Sequence, residues 1–406
     1  MNLKKWLVYS FILSLFILAA CGGDKEEATT GGGDSSNGES EDSLRIGVVT
    51  TLSGPYGEIG NEMLDAVKTA VKEVNEQGGV LGKQIELVVE DDEVAPDVAI
   101  RKAEKMVLEE NINLFIGSVA SSVTLALSEK MPDWESLLVT TIPKSVAITD
   151  PDSNSNVFRV NHNDNQDVLT LEHWMKNADL PYKTFYFLGA DYEWGHDVIN
   201  EMETIVEDIG GEILGEEFTP LGATDYSTVL TNARSKKPDA IIAAYAGGDG
   251  TNFLSQVNSF GIVDEDIDVI ITPMGDSLAT TNPELTKGIY GPANYHHSLD
   301  NKKNVSFVKS FEEDHGYKPT NFSGESYVGA WMLFEAIEEA GSANPDDVIK
   351  VLEDNFTFDS AMGELRVDPR THQVLHPNWI GEFFDDSGEA DIRIIHTTPP
   401  EFINPQ

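Results

Sequence analysis

Cysteine is nearly absent from this chain: 406 residues hold one, Cys21, which excludes an internal disulfide and any cysteine-based metal cluster. Cations are scarce as well, 27 Lys+Arg against 70 Asp+Glu for a net charge of −43. So acidic a surface repels phosphate, which excludes broad nucleic-acid binding and a polybasic membrane patch. There is no Gly-x-Ser-x-Gly elbow, no P-loop and no His-Glu-x-x-His, so catalysis has no positive support and no cofactor is expected. His372 and His376 are flanked by Pro369 and Pro377, which opposes helical i,i+4 geometry. His296 and His297 are adjacent, and on a strand they would point to opposite faces. A metal is therefore expected at neither pair. What the chain does have is 40% apolar residues and a length that predicts two or three folding units with ample core.

The first twenty residues read as an address. Lys4 and Lys5 precede an apolar run from Trp6 to Ala20, the layout of a secretory signal, with a core shorter than the roughly 20 residues of a membrane span. The run ends Leu18-Ala19-Ala20-Cys21-Gly22, which resembles the lipobox of bacterial lipoproteins. That resemblance implies a diacylated Cys21 as mature N-terminus, anchored extracytoplasmically to the outer face of the cell membrane through lipid only. The segment 21–43 that follows is Gly, Ser, Thr and acid, too polar to offset its ordering entropy, and reads as a flexible tether.

The body begins at Leu44 and reads as one supersecondary pattern used twice. Strand Arg45–Val49, a helix with Leu64, Val67, Val71 and Val74 at 3.6 periodicity, strand Ile85–Val89, a second helix and strand Leu114–Ile116 form the first copy. Strand Thr184–Leu188, a helix with Ile199, Met202, Val206 and Ile209, strand Glu212–Phe218, helix Tyr226–Ser235 and strand Ala240–Tyr245 form the second. Strand alternating with helix predicts an α/β fold of two doubly wound parallel-sheet lobes. Segments Asn304–Tyr317 and Ser326–Gly341 read as later helices, and Met362–Ile395 as short strands.

Ligands of open parallel sheets sit beyond the carboxyl ends of the strands. The loops expected there carry the candidate ligand-binding residues Ser53, Tyr56, Ala120, Ser121, Ser122, Thr141, Ser145, Asp191, Tyr192, Trp194, Gly248, Asp249 and Asp276. Hydroxyls and backbone N–H groups at Ser121-Ser122 suit a carboxylate or amide oxygen, the alternative being a simple helix cap. Tyr192 and Trp194 suit an apolar pocket wall or, alternatively, core packing; Asp249 suits a ligand contact or a turn.

Ser53-Gly54-Pro55, Asn75–Gly82, Glu90-Asp91-Asp92, Ile116-Gly117 and Ala120-Ser121-Ser122 together resemble the extracytoplasmic solute-binding proteins of ABC importers, in the branched-chain amino acid and amide group. The resemblance implies a type I periplasmic-binding-protein fold, a hinge between lobes, and delivery of a small solute to permease and ATPase subunits. It places lobe I at 44–160 with 297–358, lobe II at 161–296 with 359–395, and a tail at 396–406. Gly189–Tyr192, Pro220–Asp225, Gly248–Thr251 and Gly363–Asp368 lean toward the urea and short-chain amide branch. Where the family's amino acid receptors carry an acidic residue after a strand-end proline, this chain has Met274 after Pro273; Asp249 or Asp276 would have to supply the charge. A sensor of the same fold without transport, and an amidase-like enzyme, are the alternatives.

Overall fold

In the first strand Ile46 and Val48 bury on one face and Val49 on the other, so helices must cover both sides. The computed structural model describes residues 43–150, 156–178, 180–386 and 388–404. The expected signal segment, Cys21 and all of the tether but Ser43 lie outside the described residues. Among the described residues no helix is long and apolar enough to cross a membrane.

The first half runs β1 (Ser43–Thr50), α1 (Gly57–Glu76), β2 (Gln84–Asp91), α2 (Pro96–Glu110), β3 (Leu114–Gly117), α3 (Ser121–Ser128), β4 (Leu137–Thr140) and β5 (Val157–Arg159). Its strands form a parallel sheet in the order β2-β1-β3-β4-β5. The second half runs α4 (Asp164–Asn177), β6 (Thr184–Ala190), α5 (Glu193–Asp208), β7 (Glu212–Thr219), α6 (Ser227–Lys236), β8 (Ala240–Ala244), α7 (Gly247–Ser259), β9 (Asp268–Thr272), α8 (Asp276–Thr281) and β10 (Ile289–Ala293). Its parallel strands repeat the same order, β7-β6-β8-β9-β10. The two copies expected from the sequence are therefore two lobes of one topology.

The chain then returns to the first lobe as α9 (Lys302–His315), α10 (Asn321–Ala340) and α11 (Pro345–Glu353). Phe307, Phe311, Val328, Leu333 and Ile337 join Ile46, Val48, Met63 and Val67 in its core. A small antiparallel sheet of β11 (Thr357–Ser360), β12 (Gly363–Val367) and β13 (Val374–Leu375) follows. Here the expected boundary differs from the structure. Phe358, Leu365, Val367 and Val374 bury against the first core, so this sheet packs on lobe I. Only β14 (Asn378–Asp386) and β15 (Glu389–Thr398) join the second lobe, β14 pairing antiparallel with β10 and β15 antiparallel with β14, to complete a seven-stranded sheet. Most of the expected tail belongs to named elements. Strand β15 runs to Thr398, and α12 (Pro400–Ile403) docks on α4 with Ile403 buried and Asn404 Oδ1 accepting from Gln166 Nε2 at 2.5 Å.

The chain thus crosses between the lobes at 160–163, 294–301 and 376–377, and one buried polar cluster ties the crossings together. Lys144 Nζ, beyond β4, donates to Asp167 Oδ2 on α4 at 2.6 Å and to Asn294 Oδ1. Asn294 and Asn378 each donate to Asp167 Oδ1, at 2.7 and 3.0 Å, and Asn294 also donates to Asn378 Oδ1 at 2.9 Å. Buried polar groups specify one arrangement only when each is satisfied, and here the carboxylate, ammonium and both amides hold one another.

Candidate functional site

A cavity of about 210 Å³ opens between the lobes, where the strand-end loops of both sheets meet. From the first lobe come Tyr56, Ile59, Val94, Val119, Ala120, Ser121, Ser122, Leu125, Ile142, Pro143, Lys144, Ser145 and Phe322; from the second come Asp164, Tyr192, Trp194, Asp197, Leu221, Ala246 and Pro273.

Local chemistry places each wall. Gly60 lets α1 start hard against the first loop, since a Cβ there would lie 1.6 Å from Thr51 O. This sets Tyr56 and Ile59 at the rim. After β2, Glu93 and Val94 both take positive φ, 56° and 58°, which is unfavourable for a β-branched residue. The acidic pair Asp91-Asp92 holds them there. Asp91 Oδ1 accepts from the N–H groups of Leu52 and Glu93, both at 2.9 Å; Asp92 Oδ1 accepts from Val94 N at 2.9 Å and Thr51 Oγ1 at 2.6 Å. The result is that Val94 forms part of the cavity wall.

The 143–145 wall is held by Arg159, a fully buried guanidinium that sequence reading passed over. It donates to Ser145 O at 2.6 Å, Gln373 Oε1 at 2.8 Å and Pro143 O at 3.4 Å, with Thr149 Oγ1 close by. Burial lowers its pKa to about 10, so it remains a cation at neutral pH. In the second lobe, Trp194 at the start of α5 donates its indole N–H to Asp164 Oδ1. Burial raises the Asp164 carboxyl well above its ordinary range, with Lys144 opposing. Tyr56 and Tyr192, one from each lobe, bring their hydroxyls to 3.5 Å across the gap, so the structure is a closed form. Burial raises both phenols, which therefore stay protonated.

Of the candidate residues, Tyr56, Ala120, Ser121, Ser122, Ser145, Tyr192 and Trp194 line this cavity. The others stand elsewhere. Ser53, Asp191 and Gly248 are exposed, with Asp191 Oδ1 2.9 Å from His196 Nε2. Thr141 is buried with its hydroxyl 2.9 Å from Ser326 Oγ. Asp249 is buried in the first turn of α7 and accepts from Gly222 N at 3.0 Å. Asp276 faces His296 rather than the cavity, and Met274 is fully buried in the second lobe's core. Lys144, Asp164, Val94 and Phe322 are lining residues that no sequence motif marked.

The histidines also differ from expectation in one respect. Strand β10 ends at Ala293, so His296 and His297 lie on a turn, not a strand. Their rings lie tilted against each other with centroids 4.1 Å apart and face the same carboxylates, Asp276 and Asp391. His372 and His376 are apart in role: the first stacks on Phe158, the second packs tilted against His162.

Set beside known proteins, residues 43–389 match the periplasmic binding protein family model. A Leu/Ile/Val-binding protein homolog of Brucella abortus is 25% identical over 339 residues, covering 82% of this chain and 88% of the relative. The leucine-, isoleucine-, valine-, threonine- and alanine-binding protein of Pseudomonas aeruginosa is 22% identical over 374 residues, 89% of this chain and 95% of its own. The fold is similar to that of an ABC transporter solute-binding protein from Rhodopseudomonas palustris crystallised with 3,4-dihydroxybenzoic acid, at TM-score 0.82 and 23% identity, covering 89% of this chain and 98% of that one. These relatives are binding proteins, not enzymes, which agrees with the lack of catalytic motifs. With the family match spanning residues 43–389, nearly all of the body described above, this chain belongs to the periplasmic binding proteins, an extracytoplasmic family.

Proposed function

We propose that this protein is the lipid-anchored substrate-binding component of an ABC importer, and that its solute is a small carboxylic acid with an apolar or aromatic body. One observation carries the ligand class: Ser121, Ser122 and Lys144 share a single cavity with the rings of Tyr56, Tyr192, Trp194 and Phe322. Hydroxyls at the start of α3 and the third N–H of the Lys144 ammonium, whose other two go to Asp167 and Asn294, supply donors for a carboxylate, while the rings and aliphatic wall take an apolar body. Lys144 is the lone cation among the lining residues. Residues that would hold a ligand ammonium are less well placed, since Met274 is in the core, Asp249 is engaged by Gly222, burial favours a neutral Asp164 and the lining Asp197 is exposed to solvent. This supports acids without an amino group over amino acids, and both over urea, whose small polar surface leaves the apolar wall unused.

The test is mass spectrometry of ligand released on denaturing the purified protein, followed by calorimetric titration with 4-hydroxybenzoate, leucine and urea. Tightest binding of the benzoate supports the reading. Leucine binding more tightly removes the preference against an ammonium, and binding of urea alone refutes the carboxylate site. Import rather than sensing predicts adjacent genes for permease and ATPase subunits. The anchor rests on Cys21: Cys21→Ala should release the protein from membranes or leave it unprocessed, and a variant retained like wild type would refute the lipobox.

A further inference from the structure

Beside the crossing at 294–301, and outside the solute cavity, four ligating side chains from three parts of the fold converge. Asp276 comes from the first turn of α8, His296 and His297 from the turn after β10, and Asp391 from β15. One ligand atom from each lies within 4.8 Å of all the others. His296 Nε2 is 3.2 Å from Asp276 Oδ1 and 3.7 Å from Asp391 Oδ1; His297 Nδ1 is 3.8 Å from Asp276 Oδ1.

We propose that these four residues form a binding site for a first-row divalent metal ion, with Zn²⁺ the ion that fits best. Two facts distinguish the cluster from a chance gathering of acids on an acidic protein. The first is that four of its polar atoms are buried without a hydrogen bond, held only by charge at 3.2–3.8 Å from one another. Both Asp276 oxygens, His296 Nε2 and His297 Nδ1 are shielded from solvent without a hydrogen bond, and the His296 side chain is 2% exposed. Leaving such groups unsatisfied costs about 1–3 kcal/mol each, more for a charged one, so a native structure holding several in one spot needs a partner for them.

The second is spacing. With metal–ligand bonds of about 2.0–2.1 Å, the ligands of a tetrahedral zinc ion stand about 3.3–3.4 Å apart. Three of the six edges measure 3.2, 3.7 and 3.8 Å and none exceeds 4.8 Å, so the set is somewhat wider than that tetrahedron and would draw together around an ion. Two imidazoles and two carboxylates are a borderline donor set, suited to zinc more than to the oxygen-seeking Ca²⁺ and Mg²⁺.

The surroundings fit as well. Ser298 Oγ lies 2.6 Å from His296 Nδ1, and Ser298 N donates to the same atom at 3.2 Å; a metal on Nε2 would require Nδ1 to carry the ring proton and donate it to Oγ. Ile392 N donates to Asp391 Oδ1 at 2.8 Å and fixes that carboxylate. Lys318, from lobe I, brings its ammonium to 3.8 Å from Asp391 Oδ2 and 3.4 Å from His297 Nε2, a charge that opposes the metal. A bound ion would staple β15 and α8 to the crossing segment, three residues from the cavity-lining Pro273.

The experiment uses the purified full chain, stripped with chelator and refilled with Zn²⁺ in excess Mg²⁺, so that surface carboxylates are already occupied. Calorimetry and elemental analysis should report one equivalent of Zn²⁺, and Co²⁺ should give the intense visible absorption of four-coordinate cobalt. His297→Ala and Asp391→Asn should each weaken Zn²⁺ binding by about 100-fold or more, since removing a ligand costs at least what removing an outer-shell partner does. Lys318→Gln, which deletes an opposing charge and touches no core, should tighten it several-fold and guards against variants that fail to fold. The proposal is overturned if no stoichiometric Zn²⁺ binds. It is overturned equally if folded His297→Ala and Asp391→Asn bind as wild type, or if Lys318→Gln leaves the affinity unchanged; the cluster is then a buried ion pair between protonated His296 and two carboxylates.

Discussion

Asp167 accepts from Lys144, Asn294 and Asn378 at once, and all four side chains are buried where the lobes join. Replacing it with Asn keeps the volume but leaves the Lys144 ammonium buried without its counter-ion. Breaking a buried ion pair on one side costs about 3–5 kcal/mol, and the two amide bonds to the carboxylate lie within the same cooperative unit, so they are not added again. Against the roughly 5–15 kcal/mol of a typical domain, that is a large share. Removing both charges is different. Lys144→Met with Asp167→Leu exchanges a desolvated pair for apolar contact and should recover most of the loss, since such exchanges are often neutral or stabilising. The assay is urea denaturation of wild type, both single variants and the double variant, followed by circular dichroism. The cycle should yield a coupling energy of at least about 2 kcal/mol. A single-variant cost under about 1 kcal/mol, or strictly additive losses, would show that the crossings are held by packing and not by this network.

Glu325 is fully buried without a hydrogen-bond partner, and burial raises its carboxyl to about 8; Glu62 is raised to about 8 for the same reason. A raised carboxyl binds its proton more tightly in the folded state, so the contribution of these two groups to stability should be full below about pH 4.3 and be lost as pH rises toward 8, with Glu325→Gln flattening that part of the slope in pH-dependent melting. Ser122→Ala should weaken solute binding by roughly 5- to 150-fold while leaving the ligand-free melting temperature unchanged, the cost of one hydrogen bond to a charged group. Unaltered affinity would make Ser122 only part of a helix start. With a net charge of −43, self-repulsion should be screened by salt, so the melting temperature should rise from low to molar salt; a flat or falling trend would contradict this.

The lobes were legible because buried parallel strands and amphipathic helices write themselves in period and punctuation. The stripe Leu64-Val67-Val71-Val74 lies on α1, and Ile199-Met202-Val206-Ile209 on α5. The small sheet was assigned to the wrong lobe because alternation in Phe358, Leu365 and Val367 shows that one face is buried, not which core buries it. The cavity was half legible for a related reason. Tyr56, Ser121, Ser122, Tyr192 and Trp194 stand directly at strand ends, where topology alone points. Asp164 and Phe322 begin helices that enter after a crossing, and Val94 is placed by two carboxylates bent back on their own loop. His296 and His297 were misread because a strand was extended past its end at Ala293.

A joint with one connection can twist as well as bend; one with three connections bonded to each other bends about one axis. Lys144, Asn294 and Asn378, one from beside each crossing, share Asp167 and so deny the lobes independent rotation. Opening then breaks contacts such as that between Tyr56 and Tyr192 as a set, leaving two shapes and few between. A solute that fits poorly does not produce a distorted closed form; it produces the same closed form less often. Whatever docks on the rims of both lobes therefore reads a fraction of time, and selectivity at the docking step is a matter of counting rather than of shape.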